Sequence, residues 1–361
     1  MDKLFFYGFK LEHVNEKIGK ILSEEYIYSF YGGYNKIKYS AIKNKKLNQK
    51  ESLKKIIVAF LSTLIVFFKI LKFKPKYTIL ASSKPSLIAP LVFLFKRFTK
   101  IVYFPYDVMC LIYDKYEKNS LLDRISEKYC YKYCNGIIFK GVNEDLYVSK
   151  RFDISKKLVF KIHLLTLKDC IDAKIENIAE DVHVCDVCST LHSKDDLNYY
   201  DEPSMLKILL DKKIHVHVYT KNEFKYEFKD LLENSFFHFE GYVSPNNLIK
   251  EISKYHYGLH IDFLRPRTQL SRPWIETTLG NRQYDYLQAG IVQLATKGGA
   301  IGNFAEKNEL GFCLSLKEYK SLKKSDIIKK WSDYRKNIPF VRNKLAFENQ
   351  LIEFNFFLNN L

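Results

Sequence analysis

Three arginines, Arg265, Arg267 and Arg272, stand in the proline-punctuated stretch from Asp262 to Pro273, directly after the apolar run Leu259 to Asp262. Planar guanidinium forks suit a diphosphate, whose oxygens they can grip two at a time. Shortly after, Asn281 to Ala289 reads as an amphipathic helix, Gly290 as the left-handed residue that stops it, and Ile291 to Ala295 as a short buried strand. Gly298 and Gly299 follow at the strand's carboxyl end. Ligands of open α/β sheets bind there, where a helix start and glycine-flanked backbone N–H groups take phosphate oxygens. Asn281 and Asp285 share one helical face, so the carboxylate can accept bonds from sugar hydroxyls one turn from the phosphate. Together these residues describe a nucleotide pocket.

Such a pocket needs a parallel sheet behind it, and the chain has room for two. Its 361 residues exceed one ordinary core. Short apolar runs alternate with helical patterns, which predicts α/β architecture with mostly parallel strands and no solenoid repeat. The polar stretch from Lys168 to Asp181 lies between the strand-like Leu158 to Leu165 and Val182 to Val187, so the boundary falls there. Residues 1–170 form one expected domain, 171–325 a second that carries the nucleotide site, and 326–361 a helical tail. Trp331, Phe340, Phe347, Leu351, Phe354 and Phe357 are the tail's candidate packing residues.

The formal net charge of +17 calls for a polyanionic neighbour: nucleic acid, an anionic membrane or a phosphorylated substrate. No helix-turn-helix, zinc-finger or aromatic RNA-binding signature accompanies the lysines, so nucleic acid is not an expected partner. The lysines are densest at Lys43 to Lys55 and Lys69 to Lys76, on either side of the apolar run Ile56 to Phe68. That run is too short to span a bilayer, which takes roughly 20 residues. It reads as a buried helix of the first domain, with a peripheral contact to an anionic membrane surface as the sharper alternative. Met1-Asp2-Lys3 leads directly into the strand-like Leu4 to Phe9, which predicts a cytoplasmic protein without a secretory signal.

Seven cysteines, an odd number, do not suggest a disulfide framework. Cys185 and Cys188, with His183 and His192 nearby, raise the possibility of zinc. Val182, Val184 and Val187 instead make this a buried strand, and no second pair completes a site. Cys130 and Cys134, one helical turn apart, read as core residues. Neither a metal nor a cofactor is expected.

Asn281, Tyr284, Asp285, Tyr286, Leu287, Ala289, Gly290, Ala295 and Thr296 match, in place or by type, the pattern Asn/Lys-x-x-Tyr-Glu-Tyr-Leu-Ala-x-Gly-x-Pro-Val-Ile-Ala-Thr. The segment thereby resembles the carboxyl-terminal half-site of GT-B glycosyltransferases, in particular the large retaining nucleotide-sugar group (glycosyl transferases group 1). It departs in carrying Asp285 for the usual Glu and Val292-Gln293 for Pro-Val. Glu276 precedes Asp285 by one residue too many for the family's paired glutamates, so that pairing is not carried over. Phe239 to Val243, Leu248 to Ile252 and Tyr257 to Ile261 resemble the family's strand, turn, helix and next strand. Lys74 to Leu80, Ser86 to Phe98, Ile101 to Tyr106, Lys128 to Cys134 and Gly136 to Phe139 resemble the alternation of its amino-terminal domain.

The resemblance implies two Rossmann-like doubly wound domains facing a cleft, with a terminal helix crossing back to the first. It also implies a nucleotide-sugar donor on the second domain and a sugar or lipid-linked acceptor. A leaving nucleoside diphosphate needs cationic or dipolar stabilisation. Arg265, Arg267 and Arg272 are the expected cations, with Lys194 weaker. Asn281, Arg282, Tyr284, Asp285, Thr296, Gly298 and Gly299 complete the expected donor site. An inverting transfer needs a base, for which Asp107 and His13 are the candidates. Retaining relatives place a histidine just before the Asp107 position, where this chain has Tyr106. The expected enzyme is a hexosyl- or related transferase of surface polysaccharide or glycolipid synthesis. The alternatives are a nucleotide-sugar epimerase of the same architecture and a non-enzymatic membrane- or polyanion-binding protein.

Overall fold

Strands covered by helices on both faces must be apolar on both faces, and the chain's short runs of aromatic and branched residues meet that demand twice. A computed structural model describes residues 1–9, 12–33, 63–172, 175, 181–188, 191–220 and 229–361. They divide into two compact units, residues 1–162 with 350–361, and residues 163–349.

Unit 1 runs β1 (Lys3–Phe9), α1 (Glu12–Glu25), β2 (Ile27–Gly33), α2 (residues 63–73), β3 (Tyr77–Ala81), α3 (Ala89–Phe95), β4 (Lys100–Phe104), α4 (Met109–Ile112), α5 (Leu121–Tyr133), β5 (Gly136–Phe139), α6 (Glu144–Ser149) and β6 (Leu158–Lys161). All six strands are parallel, in the order β2-β1-β3-β4-β5-β6. Alternate strand residues such as Phe5, Leu80, Tyr103 and Phe139 pack on Val66 and Ile70 of α2, Val92 and Phe95 of α3, and Cys130 of α5. Phe160 of β6 meets Phe354 and Phe357 near the chain's end, at ring distances of 5.2 and 5.7 Å. The segment Lys43 to Lys55 and the first half of Ile56 to Phe68 lie outside the described residues. Residues 63–68 form the start of α2. No helix among the described residues is long and apolar enough to cross a membrane.

Unit 2 runs β7 (His183–Val187), α7 (Glu202–Leu210), β8 (His215–Tyr219), α8 (Lys229–Leu232), β9 (Phe237–Gly241), α9 (Pro245–Ile252), β10 (Tyr257–His260), α10 (Arg272–Thr277), α11 (Asn281–Ala289), β11 (Val292–Thr296), α12 (Ala300–Lys307), β12 (Gly311–Leu314), α13 (Leu316–Ser321), α14 (Lys324–Arg335) and α15 (Ile338–Leu345). A last helix, α16 (Phe347–Asn359), begins in unit 2, and its residues from 350 onward belong to unit 1. The sheet is again parallel, in the order β12-β11-β10-β7-β8-β9. Both units are thus Rossmann-like and doubly wound. In unit 2 the order reverses between β7 and β10.

Helices α14 and α15 lie within unit 2, where their polar groups find partners. Trp331 Nε1 donates to the His256 carbonyl at 3.1 Å. Arg342, almost wholly buried, donates to the carbonyls of Leu287, Gln288 and Ile171 at 2.6, 2.8 and 2.5 Å. Two of those carbonyls end α11, where the helix dipole favours a cation. Arg342→Met keeps the stem but takes a charged donor from three carbonyls, of which Gln288 and Leu287 keep only the N–H of Ile171 and Gly290. We expect it to lower stability by about 3 kcal/mol. A urea midpoint equal to that of the wild type would show that water replaces the guanidinium there.

Candidate functional site

Outside the carboxyl ends of β7 and β10, at the reversal of strand order, unit 2 has a cavity of about 530 Å³. This is where open α/β sheets bind ligands, and the volume suits a nucleotide. Gly290 stops α11 with φ 74°, as its position after the helical pattern predicts. β11 then delivers Thr296 to the cavity's edge. The Thr296 hydroxyl donates to the His260 carbonyl at 2.9 Å and accepts from the Asp262 N–H at 3.0 Å, which ties the ends of β10 and β11 together.

The chain next turns through Lys297, Gly298 and Gly299 into α12. Gly298 takes φ 93°, a conformation costly for any residue with a Cβ. Ala300, Ile301 and Gly302, the first residues of α12, line the cavity, and no side chain caps the helix. Its first N–H groups therefore lack intrahelical partners beside a ligand-sized space, an arrangement that favours an anion.

Arg282 adds a fixed charge to the lining. Its Nη1 donates to Asp186 Oδ1 of β7 and its Nη2 to Asp262 Oδ1 just beyond β10, each at 3.0 Å. Asp186 is wholly buried while Arg282 keeps 24% of its side chain exposed toward the cavity it lines. Beneath this pair, Glu202 Oε2 accepts from the His192 N–H at 2.8 Å. Burial first, and the adjacent Asp186 carboxylate second, push Glu202 well above the usual carboxylate range. A proton on Glu202 satisfies Asp186 Oδ2, which otherwise has no donor. Among the described residues, Asp186, Cys188 and Glu202 also bring three metal-ligating atoms within 4.8 Å of one another. Arg282 divides its charge between Asp186 and Asp262, and a proton on Glu202 relieves the repulsion between the adjacent carboxyl groups.

His260 was not legible as a site residue. It closes β10, lines the cavity and is 1% exposed, and neither ring nitrogen has a partner. Burial, then the Arg282 charge, lower its pKa to about 3. It is therefore a neutral imidazole at ordinary pH, with one donor and one acceptor to offer a ligand.

Arg282, Thr296, Gly298 and Gly299 of the expected donor residues line the cavity. Asn281, Tyr284 and Asp285 do not. Asn281 opens α11, and Tyr284 is buried with its hydroxyl 3.1 Å from His163 Nδ1. The arginine loop presents Asp262, Phe263, Leu264 and Leu270 to the cavity instead of its guanidinium groups. Arg265 donates to the carbonyls of Tyr199 and Lys194 at 2.6 and 2.7 Å, Arg272 to Glu276 at 2.5 Å, and Arg267 is exposed. Lys194 offers its carbonyl, and its side chain is not part of the lining.

In unit 1, Asp107 follows β4 as expected. Its Oδ2 accepts from the Ser83 hydroxyl at 2.8 Å and its Oδ1 lies 3.5 Å from Lys140 Nζ. Lys140, also unforeseen, is 5% exposed and stands 3.7 Å over the Tyr106 ring. Three strand ends thus meet in one polar cluster. His13 lies in α1, with its side chain outside the described residues.

No known family profile matches the chain, and no curated protein matches it by sequence. Solved structures match it along its length. WaaG, a glycosyltransferase involved in lipopolysaccharide biosynthesis, is 10% identical with a TM-score of 0.58 over 94% of this chain and 95% of that one. Anabaena Alr3699/HepE, in complex with UDP, is 12% identical with a TM-score of 0.56 over the whole of both chains. The UDP-GlcNAc 2-epimerase from Methanocaldococcus jannaschii is 11% identical with a TM-score of 0.51, over 94% of this chain and 98% of that one. At such identities the likeness is one of fold, and that fold is the GT-B glycosyltransferase fold.

Proposed function

We propose that the unit 2 cavity holds the nucleoside diphosphate of a nucleotide sugar, and that the enzyme transfers the sugar to an acceptor hydroxyl. The observation carrying this reading is a convergence on one cavity. The uncapped start of α12, the Gly298-Gly299 turn and the anchored Arg282 all meet there, beside the unpaired imidazole of His260. The helix start and turn bind the diphosphate, and Arg282 stabilises the charge that grows on its oxygen as the glycosidic bond breaks. UDP in HepE supports a nucleoside diphosphate as the ligand. Asp107, held by Ser83 and Lys140, is our candidate for the group that takes the acceptor's proton. The acceptor we favour is a lipid-linked or surface-polysaccharide intermediate at the inner, anionic face of a cell membrane, a reading that WaaG's role supports.

Calorimetric titration with UDP tests the donor site, and His260→Ala is expected to weaken binding roughly tenfold, the worth of one good hydrogen bond. Unchanged affinity in a folded variant would remove His260 from the site. The epimerase neighbour favours one other reading. A nucleotide sugar incubated without acceptor decides it, since an epimerase inverts a sugar centre there and a transferase does not.

A further inference from the structure

We propose that unit 1 docks on an anionic lipid surface through the outward faces of α2, α3 and α5. The three helices lie side by side over one face of the sheet. Phe67 of α2 meets Phe95 of α3 at 5.2 Å, and Phe93 of α3 meets Tyr129 of α5 at 6.4 Å. Val66, Ile70, Val92, Phe95 and Cys130 face the core. A surface helix with its apolar stripe so placed should be polar on the other side. These are not. Phe68 is 63% exposed, Phe93 61%, Phe98 76% and Leu122 66%, with Ile65 and Ile125 alongside. Apolar surface repeated over three neighbouring helices marks an interaction site.

Charge selects the occupant. Residues 63–100 carry eight lysines and arginines and no aspartate or glutamate. Lys72, Arg97, Lys100 and, on α5, Lys128 are exposed among the apolar groups. Long basic side chains can lie along apolar surface with their heads at lipid phosphates, while the rings enter the interface. On α5 the acidic Asp123 is engaged by Ser86 and Ser120 and Glu127 is buried, so the face keeps an excess of basic groups that an ordinary protein partner would not demand. Another exposed apolar pair of unit 1, Ile352 and Phe356, has the acidic Glu353 beside it and lacks this signature. The docking face deepens the proposed function, resting on it only for the idea that the membrane carries the acceptor.

Co-sedimentation of the full chain with vesicles tests the proposal, using phosphatidylglycerol mixed with phosphatidylcholine against phosphatidylcholine alone. Binding to the anionic vesicles is expected to be at least about tenfold stronger and to weaken as salt rises from about 0.1 to 1 M. The variants F68S/F93S/F98S and K72E/R97E/K100E should each lose about tenfold or more in partition. Both should keep the wild-type unfolding midpoint and UDP affinity. Undiminished vesicle binding by the serine variant, or no binding at low salt, overturns the proposal. So does a wild-type dimer in sedimentation velocity that the serine variant dissolves without any vesicle binding, because the face then serves a second copy. If vesicles bind and UDP does not, the donor reading fails and the docking face stands.

Discussion

Arg282→Met is expected to destabilise unit 2 by about 3–5 kcal/mol and to abolish measurable nucleotide binding, because it removes the partner shared by two carboxylates. Asp186 is wholly buried, and its other oxygen already depends on a protonated Glu202. Without the guanidinium its charge has no counterpart. Arg282→Lys should rescue little, since one ammonium cannot make both 3.0 Å contacts in the geometry that the fork makes. The double variant R282M/D186N separates the two roles. Neutralising Asp186 should restore much of the stability, while binding stays lost because the cavity still lacks its fixed charge. The chain's two tryptophans, Trp274 and Trp331, both lie in unit 2, so their fluorescence reports its unfolding directly. A single variant within about 1 kcal/mol of the wild type would mean that water compensates both carboxylates.

What could be read from the sequence here depended on whether a feature is local. The helix of α11, its stop at Gly290, the strand β11 and the turn at Gly298 depend on periodicity and backbone freedom over neighbouring residues. All four are found where the pattern puts them. The partnership of Asp186, Asp262 and Arg282 exists only because β7 pairs with β10, and no local pattern reports strand order. His260 sits in an apolar run and so reads as a core residue. The arginine loop shows the other limit. Its composition announces cations, yet their direction depends on how the loop folds, and the bridge between Tyr199 and Leu264 turns Arg265 toward backbone carbonyls. The helical tail was legible as helix. Which unit its first part covers depends on distant carbonyls such as that of His256.

Mild acid is expected to unfold unit 2 while sparing unit 1, because five histidines of unit 2 are held neutral, against one raised carboxyl, Glu202, whereas the raised groups of unit 1 include the carboxyls Glu127 and Glu144. Burial is the leading cause that lowers His163 to about 4, His217 to about 2 and His260 to about 3, and it also lowers His183 and His215. The geometry agrees with neutral rings. His217 Nδ1 donates to Glu240 at 2.7 Å, which leaves its Nε2 to accept from His183 Nδ1 at 2.9 Å. A proton on that Nε2 would force His183 to move its own hydrogen off Nδ1. Each group stays neutral in the folded chain but protonates in the unfolded chain below its ordinary value of about 6.5. The stability is therefore complete above that pH and is lost as pH falls toward the folded values. Three such groups give a ceiling of about 4 kcal/mol per pH unit, against a typical domain stability of 5–15 kcal/mol. In unit 1 burial instead raises Glu127 and Glu144 from 4.5 to about 7, so the fold weakens as pH rises between those values and mild acid relieves it. At about pH 5 the tryptophan transition should move to markedly lower denaturant, while a second transition seen by circular dichroism should not. A tryptophan midpoint unchanged between about pH 7 and pH 5 would show that the histidines of unit 2 titrate freely in the folded state.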